Sequence, residues 1–135
     1  MKKTLTKITT RYAETDQMGV IHHSNYLIYL EQARMEWLNA LGFSYDIMEK
    51  NGVILPVFDI RLNYRKPLFV AQDITVTCKL LQPPSTRVIF EYEVINNKDE
   101  LCAHAQITLV FTDSQSFRPR KPLTDFIEAC KNHFE

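Results

Sequence analysis

The segment from Ser24 to Leu41 constrains this chain most. Tyr26, Leu30, Ala33, Trp37 and Leu41 recur at helical spacing, Ser24 or Asn25 can cap the start, and Gly42 suits the position just past the end. Leu27, Ile28, Tyr29 and Met35 widen the apolar face well beyond a stripe. A helix so apolar is expected to be enclosed on several sides rather than to lie on a surface. Something must wrap around it.

The wrapper is expected in the alternating segments that follow. Phe58, Ile60, Leu62 and Tyr64 alternate with Asp59, Arg61, Asn63 and Arg65, as in a half-buried strand. The same period returns in Ile74, Val76, Cys78 and Leu80, in Val88, Phe90, Tyr92 and Val94, and in Ala103, Ala105, Ile107, Leu109 and Phe111. Pro83-Pro84-Ser85 and Asn96-Asn97-Lys98-Asp99 are short loops that suit antiparallel neighbours. Thr4 to Arg11 reads as a further strand and Thr124 to Phe134 as a short terminal helix. Strand, long helix, then consecutive strands is the order of an α+β domain with an antiparallel sheet curled around one helix.

Composition sets the limits. A chain of 135 residues has one domain's length, and 45% hydrophobic with 24% charged residues is ordinary for a globular protein. With only three glycines, no repeat and no linker, a single domain over residues 1–135 is expected. Sixteen basic residues balance sixteen acidic ones, which argues against nucleic acid as a partner. No apolar run reaches the roughly 18 residues of a membrane span, so no membrane insertion is expected. Cys78, Cys102 and Cys130 form no C-x-x-C pair and the first ten residues lack a signal-peptide pattern. The expected setting is reducing and cytoplasmic.

The chemistry concentrates in Tyr12 to Tyr26, YAETDQMGVIHHSNY, just ahead of the apolar helix. A helix start offers unpaired N–H groups and partial positive charge, so it can hold a developing oxyanion. A nearby carboxylate such as Asp16 completes a hydrolytic pair, one group attacking or activating water and the other stabilising charge on the carbonyl oxygen. Asp alone favours turns. Adjacent His22 and His23 rarely converge on one ion and find no third ligand at suitable spacing, so no metal is expected. Glu31 reads as a partner for Arg34 one turn on. Cys78 and Cys102 read as small buried hydrophobes with no base beside them.

The spacing Asp16-x-x-Gly19-Val20-x-x-His23-x-x-Tyr26, followed by Glu31-x-Ala33-Arg34, resembles the hotdog-fold acyl-CoA thioesterases of the 4-hydroxybenzoyl-CoA thioesterase and YbgC type. The resemblance runs from Thr6 to Arg118-Pro119-Arg120. It implies a hotdog fold, an antiparallel β-sheet wrapped around a long central helix, and a homodimer or homotetramer with its active site at a subunit interface. It implies hydrolysis of an acyl-CoA to free acid and coenzyme A, without cofactor. On this resemblance Asp16 is the catalytic carboxylate, the carbonyl-polarising amide lies near His23, and Tyr12 and the His23 side chain line the site. Many relatives carry an aromatic residue where this chain has His22. The basic residues Arg65, Lys66, Arg87, Arg118 and Arg120 are candidates for the phosphates of coenzyme A, which Arg and Lys can grip at a cleft mouth. The competing class is a non-catalytic hotdog module that binds an acyl-CoA or acyl-carrier protein. A hotdog hydratase or dehydratase would need a His and carboxylate arrangement not evident in this chain.

Overall fold

The computed structural model describes residues 3–131. In chain order the elements are β1 (Thr4–Thr9), a 3-10 turn (Tyr12–Glu14), α1 (Ser24–Leu41), α2 (Tyr45–Lys50), β2 (Val53–Ile54), β3 (Val57–Tyr64), β4 (Asp73–Leu80), β5 (Arg87–Ile95), β6 (Leu101–Val110), β7 (Thr112–Asp113) and α3 (Thr124–Lys131). Five strands form one antiparallel sheet in the order β1-β4-β5-β6-β3, and β2 pairs with β7 beside it. The first strand stops at Thr9, two residues short of the sequence expectation, because the chain turns into the 3-10 helix after Arg11. Residues 132–134, the expected end of the terminal helix, lie outside the described residues.

The long helix has the bounds its periodicity predicts. Gly42 takes φ +93°, and the N–H groups of Gly42 and Phe43 donate to Asn39 and Leu38 in a Schellman arrangement that satisfies the last carbonyls. Its start differs from expectation. His23 is already helical, and the Ser24 N–H donates to His22 Nδ1 at 3.2 Å, so neither Ser24 nor Asn25 caps the helix with its side chain. The Asn25 amide reaches back instead, donating to the Glu14 and His22 carbonyls.

Tyr26, Tyr29, Leu30, Ala33, Trp37 and Leu38 are buried and face β1 and β4, with Trp37 edge-on to Phe90 at 4.9 Å between ring centres. Truncating a residue of Trp37's size in such a core costs about 3–5 kcal/mol. Arg34 lies on the same buried stripe. Its Nε donates to the Tyr45 hydroxyl at 2.9 Å and its Nη1 to the Tyr92 hydroxyl at 3.1 Å, tying α1 to α2 and β5. Glu31 pairs with it as expected, its exposed carboxylate 4.0 Å from Arg34 Nη2. The guanidinium stays charged; burial opposes the charge, and the two phenol oxygens outweigh it.

Two expectations about enclosure are corrected. Leu27, Ile28 and Met35 are exposed, because α1 meets the sheet on one side only. Likewise β3 is a strand with the expected alternation, yet its apolar face is open: Phe58 is 62%, Ile60 41% and Tyr64 51% exposed. The helix lies mainly over the β1–β4 side of the sheet and meets β3 at its end, where Tyr26 packs against Tyr64.

Candidate active site

The loop that carries Asp16 is a closed hairpin. Thr15 pairs with Ile21, the Asp16 N–H donates to the Val20 carbonyl at 2.8 Å, and Gly19 supplies the left-handed φ of +83° that the tight return requires. Asp16 Oδ1 accepts from the Met18 N–H at 2.7 Å and the Val20 N–H at 3.3 Å. Its Oδ2 has no hydrogen-bond partner among the described residues, and the side chain is half-buried. The carboxylate is thus oriented by one oxygen while the other is free.

Two residues beyond the hairpin the helix begins. The N–H groups of Ser24, Asn25 and Tyr26 are taken by His22 Nδ1, the His22 carbonyl and the His23 carbonyl. The His23 N–H meets no acceptor among the described residues. It is therefore the donor at this helix start still available to a substrate oxygen. The His23 ring stands 6.4 Å from that of Tyr64, edge-on, and the Tyr64 hydroxyl donates to the His23 carbonyl at 3.3 Å. Tyr26 and Tyr64 meet edge to face at 4.9 Å, and burial pushes the Tyr26 phenol up to about 12, so it remains a neutral donor. Ile21, His23, Tyr26, Tyr64, Arg65, Lys66 and Pro67 line a cleft of about 290 Å³.

Tyr12 sits on the 3-10 turn, 77% exposed, with no side-chain hydrogen bond among the described residues. The basic residues separate into two groups. Arg65 and Lys66 border the His23 cleft, and Lys66 pairs with Glu100. Arg87 borders a larger cavity of about 760 Å³, with Phe58, Phe117 and Pro119 on its walls and the Arg87 guanidinium 4.8 Å above the Phe58 ring. Arg118 and Arg120 flank that Pro119, with the Arg120 Nε donating to the Lys121 carbonyl at 3.0 Å. Strand β3 joins the two places, and its eight residues at roughly 3.3 Å each put its ends about 23 Å apart.

All three thiols are buried and burial raises each above the ordinary cysteine value, Cys130 to about 12, so none is primed as a nucleophile. Among the described residues no three His, Cys, Asp or Glu side chains gather as a metal site would require, and no helix is long and apolar enough to cross a membrane. Sequence reading missed two residues beside the site. Tyr64 was taken only as a strand residue, and Glu14, whose carboxylate is buried against Tyr29 of α1, was not singled out.

A five-stranded antiparallel sheet laid on one long helix is the architecture of a hotdog-fold domain. The chain belongs to the thioesterase-like superfamily, whose family model matches residues 10–129. YneP of Bacillus subtilis, which carries the name of an acyl-CoA thioesterase, is 37% identical over 123 residues, 89% of each chain. The acyl-CoA thioester hydrolase YbgC of Escherichia coli is 25% identical over 109 residues, 81% of each chain. Among solved structures, the DHNA-CoA thioesterase of Staphylococcus aureus superposes with a TM-score of 0.92 at 37% identity, covering 98% of this chain and 91% of that one. The chain is a thioester hydrolase of this kind, with acyl-CoA as its substrate class.

Proposed function

We propose that Asp16 is the catalytic carboxylate of this acyl-CoA thioesterase and that the His23 N–H holds the thioester carbonyl oxygen. The observation that carries this reading is the pair of unsatisfied groups that flank one hairpin, Asp16 Oδ2 and the His23 N–H, where the N–H groups of Met18 to His22 and of Ser24 to Tyr26 are all taken. Oδ2 either attacks the carbonyl carbon, giving an acyl anhydride that water opens, or takes a proton from a water that attacks. In both routes the negative charge on the carbonyl oxygen develops against the helix start. A thiol's pKa is about 8.5, so the coenzyme A thiolate departs with little acid assistance. His23 and Tyr12 line the acyl side, and no cofactor takes part.

Coenzyme A is gripped by Arg87, Arg118 and Arg120 around the larger cavity, where Phe58 and Phe117 offer ring faces, while Arg65 and Lys66 guard the catalytic cleft. These groups lie at opposite ends of β3. A two-fold axis that pairs β3 with a second copy's β3 runs the strands antiparallel, so the larger cavity of one copy comes beside the His23 cleft of the other. The homodimer is therefore the catalytic unit, and the exposed Leu27, Ile28 and Met35 of α1 offer a second surface for a homotetramer. The same mouth admits the phosphopantetheine arm of an acyl-carrier protein. Three buried, unbridged thiols suit a reducing cytoplasm.

The acyl group meets the rings of Tyr26 and Tyr64, which favours an aromatic acyl chain. The DHNA-CoA thioesterase of Staphylococcus aureus points the same way. A panel of aliphatic and aromatic acyl-CoAs, read by thiol release, tests both halves. Asp16→Asn keeps the size and much of the hydrogen bonding, so kcat should fall about 10²–10⁴-fold with substrate binding little changed. An acyl-enzyme trapped by rapid-quench mass spectrometry selects the nucleophilic route. Coenzyme A binding without turnover of any acyl-CoA returns the chain to the binding-module reading. Wild-type rates in the Asp16→Asn variant would make Asp16 a turn residue and Glu31 the next carboxylate to test.

A further inference from the structure

Glu14 is 7% exposed, and every hydrogen-bonding atom of its carboxylate and carbonyl is engaged. Oε1 accepts from the Arg11 N–H at 2.9 Å and the Tyr29 hydroxyl at 2.6 Å, and Oε2 accepts from the Arg11 guanidinium at 3.1 and 3.2 Å. Its carbonyl accepts from the His22 N–H at 2.8 Å and the Asn25 amide at 2.9 Å. Burial alone would raise this carboxyl, but the bonds from Tyr29 and Arg11 outweigh it and hold the group below its ordinary value. Glu14 is an anion with no free lone pair to offer a substrate.

Its place in the chain gives those bonds a meaning. Glu14 lies at the neck of the hairpin, one residue before the Thr15–Ile21 closure and two before Asp16. Three of its bonds go to the approach and first two turns of α1, at His22, Asn25 and Tyr29. Asp16 itself is oriented only by amides of its own loop. The separation between the Asp16 carboxylate and the His23 N–H therefore depends on how the neck is anchored to the helix.

We propose that Glu14 is a positioning residue for thioester hydrolysis: through Tyr29 and Asn25 it anchors the Asp16 hairpin to α1 and sets the carboxylate against the His23 N–H. This rests on the reading of Asp16 as the catalytic carboxylate. A misplacement of about 1 Å between reacting groups can cost about 10²-fold, whereas coenzyme A is held elsewhere and its binding should not follow.

The test is a double-mutant cycle on the full-length enzyme with its best acyl-CoA, each variant's folded fraction set by circular dichroism. Tyr29→Phe removes one hydroxyl and should lower kcat about 10-fold; Glu14→Ala should lower it about 10–100-fold, with KM within about twofold in both. Glu14→Gln can still bond Tyr29 and should recover most of the loss. In the Asp16→Asn background Glu14→Ala should cost less than about twofold, because there is no longer a carboxylate to position. A merely structural Glu14 would instead multiply its full loss onto Asp16→Asn. That result overturns the inference, as do wild-type kcat values in both Tyr29→Phe and Glu14→Ala while Asp16→Asn is slow. Asp16→Asn alone at wild-type rate would overturn the reading of Asp16, and the inference with it.

Discussion

The two edges of the sheet are built on opposite rules. Strand β1, TLTKIT, is short and polar, and its own chain finishes it: α1 packs on its inner side, Thr6 is buried there, and Lys7 and Thr9 bond Thr75 and Asp73 of β4. Strand β3, VFDIRLNY, is longer and keeps charge only on its outer face, where Asp59 and Arg61 pair at 3.5 Å. Its inner residues Ile60, Leu62 and Tyr64 lie opposite the buried Ile107, Ala105 and Ala103 of β6, so they continue the core face to an edge that no other strand among the described residues pairs. An exposed, apolar edge strand is an invitation to pair with another strand. The difference teaches that the fold is closed at β1 and left open at β3, the strand that borders the larger cavity at one end and the His23 cleft at the other.

The largest effect should come from disturbing the open edge. If β3 pairs with a second copy as proposed, Ile60→Asp should give monomers at micromolar concentration where the wild type is dimeric, read by light scattering with chromatography, and should lower hydrolysis at least about 10²-fold. Leu5→Asp, an exposed apolar position on β1, should change neither mass nor rate. Equal behaviour of the two variants would remove the distinction between the edges.

A smaller effect is expected where β3 begins. Arg87→Ala, or Arg118→Ala with Arg120→Ala, should raise KM about tenfold and flatten its salt dependence while kcat stays within about threefold, the signature of lost uniform binding. Lys66→Ala at the other end should do less, since Glu100 already engages that ammonium. An unchanged KM at low salt would return these residues to an ordinary solvated surface.

Much of this was legible in the sequence, for local reasons. The spacing of Tyr26, Leu30, Ala33 and Trp37 with Gly42 behind them states the helix and its end, and alternation states each long strand. What alternation cannot state is who covers a face: Phe58 to Tyr64 look half-buried whether the cover is the chain's own helix or a second molecule. The pairing of Glu31 with Arg34 was legible, but the burial of Arg34 was not read, although it lies one turn from both Leu30 and Trp37 on the buried stripe. The Asp16-to-Tyr26 spacing carried the candidate site. Glu14 was overlooked because its partner Tyr29 is fifteen residues away, although Arg11-x-x-Glu14 was available as a local capping pattern.

The smallest expected effect separates the two edges by pH. Glu14, just beyond β1, has a folded pKa below its ordinary value of 4.5, so near that pH the folded protein binds fewer protons than the unfolded chain. The stability this anion adds is fully present above the unfolded carboxylate range and is lost as pH falls through the lower folded value. Glu100, beside the end of β3, is likewise held low by the Lys66 hydrogen bond, then Asn96 and the Lys66 charge, but it is solvent-exposed. Urea midpoints measured from pH 7 down to pH 3 should therefore fall less steeply below about pH 4.5 in both Glu14→Gln and Glu100→Gln than in wild type. Raising the salt to about 0.5 M shortens the screening length to roughly 4 Å, which should erase the Glu100 difference and leave that of Glu14, because only the latter is sheltered from solvent. Should salt erase both, the Glu14 clamp is as open to water as the ion pair at the far edge, and β1 is not closed in the way its neighbours suggest.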